Sequence, residues 1–147
     1  MTGPQAKGRG VRTDYRHLAP ITTRWMDNDV YGHVNNATYY SYFDTAVNTH
    51  LIRQGALGPA HGPVIGLVVE SGCRYAAPIS FPDAVTAGLR VGRVGSSSVR
   101  YEIGLFRNGE SQAAAEGFFI HVYVDRETRR PVPLPPELRR VVEGLLQ

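Results

Sequence analysis

The sequence predicts an α+β domain in which one long central helix is wrapped by a curled five-stranded antiparallel sheet, with a short C-terminal helix. Three observations carry this prediction. A single apolar stripe (Tyr40, Phe43, Val47, Leu51) recurs at three-to-four spacing between about Asn36 and Gln54. Most of the chain beyond it is β-patterned, in four long segments. Glycine-rich turns join those segments closely enough to make hairpins.

Met1 to about Leu18 is rich in Gly, Arg and Lys without periodicity and reads as a loose tail, so the expected division is a flexible basic tail over 1–17 and one domain over 18–147. Ile21–Trp25 is a short β-branched strand. The helix follows, with Asn35 or Asn36 as N-cap and Gly55 as its stop. At about 1.5 Å per residue it is long enough to cross a sheet. Val64–Tyr75 is apolar and β-branched. Val85–Val94 alternates, with Val85, Ala87, Leu89 and Val91 on one face, and Ser98–Phe106 alternates through Val99, Tyr101, Ile103 and Leu105. Gly95-Ser96-Ser97 and Arg107-Asn108-Gly109-Glu110 are the turns, and Ala113–Val124 closes the set. After Pro131–Pro136 a small helix carries Leu138, Val141, Val142, Leu145 and Leu146 on one face. One helix covers only one face of such a sheet, so apolar residues on the outer face and an exposed edge predict self-association.

Composition narrows the function classes. The chain has 147 residues, 42% hydrophobic and 20% charged, within the range of one globular domain. A single cysteine, Cys73, excludes an internal disulfide framework and a Cys-based zinc site, and favours a reducing compartment. The net charge of +3 resides in the first sixteen residues, and the body is neutral, which argues against nucleic-acid binding. No apolar run approaches the ~20 residues of a membrane span, and Met1–Gly10 has no signal-like core, so a cytoplasmic protein is expected.

The stretch Arg24–Tyr40 carries the chemistry. It sets Asp27, Asp29, a glycine turn, His33, Asn35 and Asn36 directly before the long helix. A carboxylate beside unpaired helix-start amides provides the two parts of a water-driven acyl cleavage: an attacking or base group, and donors for the developing oxyanion. No metal-ligand spacing accompanies it, and the chemistry requires no cofactor.

The pattern Asp27-x-Asp29-x-x-Gly32-His33-Val34-Asn35-Asn36, followed by Tyr39-Tyr40-x-Tyr42-Phe43-Asp44, resembles the signature of the hotdog-fold thioesterases, in the branch of 4-hydroxybenzoyl-CoA thioesterase-like acyl-CoA thioesterases. The resemblance extends over roughly residues 18–140. It implies hydrolysis of an acyl-CoA thioester, and subunits that pair edge to edge as homodimers or homotetramers with the thioester at the shared interface. It also implies that Asp29 is the catalytic carboxylate and that the Asn36 amide polarises the thioester carbonyl. Asp29 then acts as nucleophile or as general base on water, two routes the sequence leaves open.

Around this pair, Asp27 reads as a turn-former, and His33 as a substrate contact, an aide to Asp29 or a loop brace. Asn35 and Tyr39 are expected near the substrate. Glu70, a carboxylate in an apolar strand with Arg74 as its expected ion partner, is the second catalytic or binding candidate. Arg93, Arg129, Arg130, Ser97 and Ser98 are candidate contacts for the phosphates or pantetheine of CoA. The Gly95-Ser96-Ser97 turn lacks the basic residues of some relatives there, which leaves acyl-carrier-protein thioesters open as substrates. His17, His50, His61 and His121 are scattered and read as structural. Two other functions compete: an enoyl-CoA hydratase or dehydratase of the same fold, and a non-catalytic acyl-thioester binder.

Overall fold

The computed structural model describes residues 8–57 and 62–146. Five strands, β1 (His17–Ile21), β2 (Val64–Tyr75), β3 (Val85–Val94), β4 (Ser98–Arg107) and β5 (Ala115–Asp125), form one antiparallel sheet in the order β1-β3-β4-β5-β2. Helix α1 (Thr38–Arg53) lies in the hollow of the sheet, and α2 (Pro136–Gly144) closes one end against β3, where Val91 N–H donates to Leu145 C=O at 2.8 Å. This is the hotdog arrangement that the sequence predicts.

Alternation along β3 and β4 buries Val85, Ala87, Leu89 and Val91 with Val99, Tyr101, Ile103 and Leu105, all facing α1. Phe43, Val47 and Leu51 of α1 are fully buried against them. Phe43 approaches β5 so closely that a Cβ on Gly117 would lie 2.2 Å from its ring, so only glycine lets the helix seat there. Tyr39 and Tyr42 are buried beside this stripe, whereas the expected Tyr40 is only half-buried, resting on Phe43 and Phe119. The curled sheet wraps a wider arc of helix than one narrow stripe. Gly55, at φ +72°, closes α1 as expected; Ala56 N–H returns to Leu51 C=O at 2.8 Å.

Two boundaries at the start of the fold differ from expectation, each for a local reason. The first strand is His17–Ile21, not Ile21–Trp25, because Asp27 pulls Trp25–Asp27 into a 3-10 turn by accepting Arg24 N–H at 2.9 Å. A side-chain bond there outweighs β-branched propensity. Helix α1 begins at Thr38, since Thr38 N–H first closes a tight turn onto Asn35 C=O at 2.9 Å.

The expected loose tail of 1–17 is corrected from Gly8 onward; its first seven residues lie outside the described residues. Tyr15 is buried on the outer face of the sheet, over Gly88 and Gly104, where a Cβ at either position would come within 2.6 Å of its ring. It meets Phe106 edge-on at 5.9 Å, with Arg90 stacked on it at 4.8 Å. Gly10 C=O accepts Ala113 N–H, and the Arg12 guanidinium binds the carbonyls of Asn108 and Glu110. The two glycines leave a groove that a tyrosine fills, and that groove is invisible until the strands are paired.

The rest of the outer face, with Phe118, Ile120 and Val122, stays half-buried. Strand β2 is a free edge carrying exposed Val68 and Val69, with a bulge at Val69. Among the described residues no helix is long and apolar enough to cross a membrane.

Candidate active site

The sheet has two ends, and the candidate residues are divided between them. One end collects Ile21, Val85, Arg107, Ala115 and Tyr75; the other collects Val94, Ser98, Val122 and the start of β2. Leaving β1 at the first end, the chain runs through the Trp25–Asp27 turn into the Asp29 loop and then into α1.

Asp27 holds this corner together. Its Oδ2 accepts the Arg24 N–H and the Tyr42 hydroxyl (2.6 Å), and its Oδ1 accepts the Arg24 guanidinium at 3.1 Å. Burial raises its pKa, but the bonds from Tyr42 and Arg24 outweigh burial and hold it below the ordinary carboxylate value. Every lone pair of this carboxylate is directed at structure, as expected for the turn-former.

Asp29 is different. Its Oδ1 accepts Tyr31 N–H at 2.8 Å, and its backbone is pinned by Asp29 N–H donating to His33 C=O at 2.9 Å. Its Oδ2 has only a long contact of 3.5 Å with Asn35 Nδ2, and the residue lines a cleft of about 510 Å³. Tyr31, His33, Val34, Asn36, Tyr39 and Tyr75 line this cleft with Asp29, and Ala76–Pro78 form its far wall.

Asn35 ties the elements together rather than reaching into the cleft. Its Oδ1 accepts Ala37 N–H at 2.9 Å, its N–H donates to Asp27 C=O, and its amide nitrogen faces Asp29; the N-cap position itself falls on Ala37, not on Asn35 or Asn36 as expected. The Asn36 N–H has no acceptor among the described residues and sits at the positive end of α1. A half-buried carboxylate and a free helix-start amide therefore share one concavity. Tyr39 is buried beneath it, its hydroxyl accepting Ile79 N–H at 3.3 Å. His33 lines the cleft with an exposed side chain.

The remaining candidates lie elsewhere in the same chain. Glu70 pairs with Ile120, which alternates with inward-facing His121, so Glu70 points to the outer face, away from Asp29. The expected Glu70–Arg74 ion pair is not formed: both side chains are exposed on an edge strand, where an ion pair gains little over solvation. Arg93, Ser97 and Ser98 lie at the opposite end of the sheet, seven residues of β4 or about 23 Å from the Asp29 end. Arg129 and Arg130 sit there too, in the turn closed onto Asp125. Among the described residues no cluster of three or more His, Cys, Asp or Glu is arranged to hold a metal. His61 lies outside the described residues.

Two features were missed in the sequence. Tyr75 reaches the cleft from the end of β2 and donates its hydroxyl to Asn36 C=O at 3.0 Å. Its only sequence signal is an aromatic at a strand end. Second, Trp25, Met26 and Val30 stand 72–93% exposed around Asp29, on a loop fastened by Asn28 Oδ1 to Phe81 N–H and by Ser80 to Gly32 C=O. A second concavity of about 460 Å³ runs between β1 and α1 past His17, His50, Thr45 and Arg53, but no carboxylate lines it.

Comparison with known proteins gives a concordant picture. Residues 23–142 match the family model described as the thioesterase-like superfamily. The PA5185 protein of Pseudomonas aeruginosa strain PAO1 has a similar crystal structure, with 55% identity, a TM-score of 0.92, and coverage of 95% of this chain and 97% of that one. A thioesterase from Thermus thermophilus, solved complexed with coenzyme A and Zn, is 32% identical with a TM-score of 0.70, covering 89% of this chain and 94% of its own. The YsmA protein of Bacillus subtilis strain 168 is 22% identical, over 82% of this chain and 81% of its own length.

Proposed function

This chain belongs to the thioesterase-like superfamily, and on that premise we propose that it hydrolyses an acyl-CoA thioester to a free acid and CoA, with Asp29 as the reacting carboxylate. The observation that carries this reading is that Asp29, whose Oδ2 has only one long contact, and Asn36, whose N–H has no acceptor among the described residues, line one cleft. Attack on a thioester carbon makes its oxygen anionic, and an amide already oriented stabilises that charge with little reorganisation. Asp29 either attacks the carbon, giving an anhydride that water then hydrolyses, or takes a proton from the attacking water. Both routes release thiol and acid. His33 contacts the substrate from the exposed rim.

The site is shared between subunits in this reading. Antiparallel pairing of two β2 edges inverts one chain against the other. That brings the partner's hairpin end, with its Ser97, Ser98 and Arg93 positions, beside the Asp29 end of the first chain. The exposed loop side chains around Asp29 support a partner or substrate surface at this place. The homolog complexed with coenzyme A supports CoA as the thiol group. A water-filled compartment such as the cytoplasm suits a chain with no membrane-spanning helix among its described residues.

The test is a thiol-release assay over short, long and aromatic acyl-CoAs, with crotonyl-CoA hydration followed in parallel. Thiol release from at least one acyl-CoA is expected. Hydration of crotonyl-CoA without thiol release would favour the hydratase alternative, and tight binding with neither reaction would favour a non-catalytic binder.

A further inference from the structure

We propose that Tyr75 is a positioning residue that clamps the Asn36 peptide so that its N–H is held toward the cleft; this rests on the thioesterase reading above. Asn36 lies before the first residue of α1, so the helix ladder does not fix it. Two peptide planes meet at its Cα. The plane that carries the Asn36 N–H is held by Thr38 N–H donating to Asn35 C=O at 2.9 Å. The next plane is held at both ends: Ala37 N–H donates to Asn35 Oδ1 at 2.9 Å, and the Tyr75 hydroxyl donates to Asn36 C=O at 3.0 Å.

Of these three fastenings, two are made within four residues of chain and move with the loop. Tyr75 alone ties the turn to the sheet. A carbonyl only accepts, so the phenol must be the donor, and burial raises the Tyr75 pKa, which keeps that proton in place. The ring is oriented in turn by Tyr39, which meets it edge-on at 4.9 Å and is itself buried. The route runs from the core through Tyr39 and Tyr75 to the Asn36 amide, which has no acceptor among the described residues. An oxyanion donor is effective to the extent that it is already aligned when charge develops, so loosening it acts on the chemical step more than on substrate binding.

The test compares full-length wild type with Tyr75→Phe, which keeps the ring and removes only the hydroxyl. By ¹⁵N relaxation, the Asn36 amide is expected to fall from a rigid order parameter near ~0.85 toward ~0.6 or below. Thiol release is expected to lose about tenfold in kcat with KM within about twofold, and the melting temperature is expected to hold. An Asn36 amide as ordered in the variant as in wild type overturns the clamp, as does a wild-type kcat with the amide loosened. Equal losses in kcat and melting temperature would assign Tyr75 to packing and overturn it too. A wild type that releases no thiol overturns the functional reading by itself, and the relaxation comparison still decides the clamp.

Discussion

Asp29→Asn is expected to lower kcat for acyl-CoA hydrolysis by at least about 100-fold while leaving the fold intact. The substitution is nearly isosteric. An asparagine Oδ1 still accepts Tyr31 N–H, so the loop bond at 2.8 Å survives, and the backbone bond to His33 C=O involves no side chain. What is lost is the carboxylate of a cleft-lining residue, which neither attacks a carbonyl nor takes a proton once it becomes an amide. KM should change little, since the acyl and CoA contacts are made by other groups. Thiol-release kinetics with a melting curve on the same sample check this; a folded variant with wild-type kcat would remove Asp29 from the mechanism.

Lowering the pH from about 6.5 to 4 is expected to destabilise the protein through His121, by about 3 kcal/mol in total. This side chain is 6% exposed, packed among Tyr101, Phe119 and Tyr123, and its Nε2 has no partner among the described residues. Burial pushes its pKa from 6.5 down to about 4. Between those values the unfolded chain binds a proton that the folded chain refuses, so the unfolded state gains as pH falls. Above 6.5 both states are neutral and the contribution vanishes. His121→Phe removes the titration and the orphaned nitrogen together. Denaturant unfolding of both proteins from pH 8 to pH 4 should show curves that diverge only below about 6.5, with the variant keeping more of its stability. Parallel curves would contradict the assignment, since all other titrating groups are common to both.

The contrast between what could and could not be read from the chain has physical causes. The bounds of β2 and β3, the stop at Gly55 and the helix in the hollow of the sheet follow from periodicity and turn chemistry, which are local. So does the turn-forming part of Asp27, because a carboxylate three residues after Arg24 can close a turn within its own segment. The misplaced first strand shows the limit of propensity: Ile21–Trp25 is β-branched, yet a bond from Asp27 and a hydroxyl from Tyr42, fifteen residues on, fold it otherwise. The docking of Tyr15 over Gly88 and Gly104, and of Tyr75 on Asn36, depends on strand register. No spacing in a single sequence encodes register. Glu70 attracted notice as a charge in an apolar strand, but β2 is an edge, where that charge stays in water. Arg93, Ser97 and Ser98 are candidate CoA contacts by chemistry, and only strand pairing reveals that they lie a sheet length from the Asp29 of their own chain.

The most direct test of the central claim, that Asp29 and the Asn36 amide address one substrate carbonyl, is an NMR titration. The ligand is a ketone analogue of the best acyl-CoA, with methylene in place of the thioester sulfur, so that the carbonyl remains and cannot be cleaved. The account predicts a downfield shift of the Asn36 amide proton as its hydrogen bond forms, with Tyr31 and His33 amides also perturbed. A stationary Asn36 amide, with shifts confined to Ala19, Thr45 and Thr49 in the groove between β1 and α1, would contradict it.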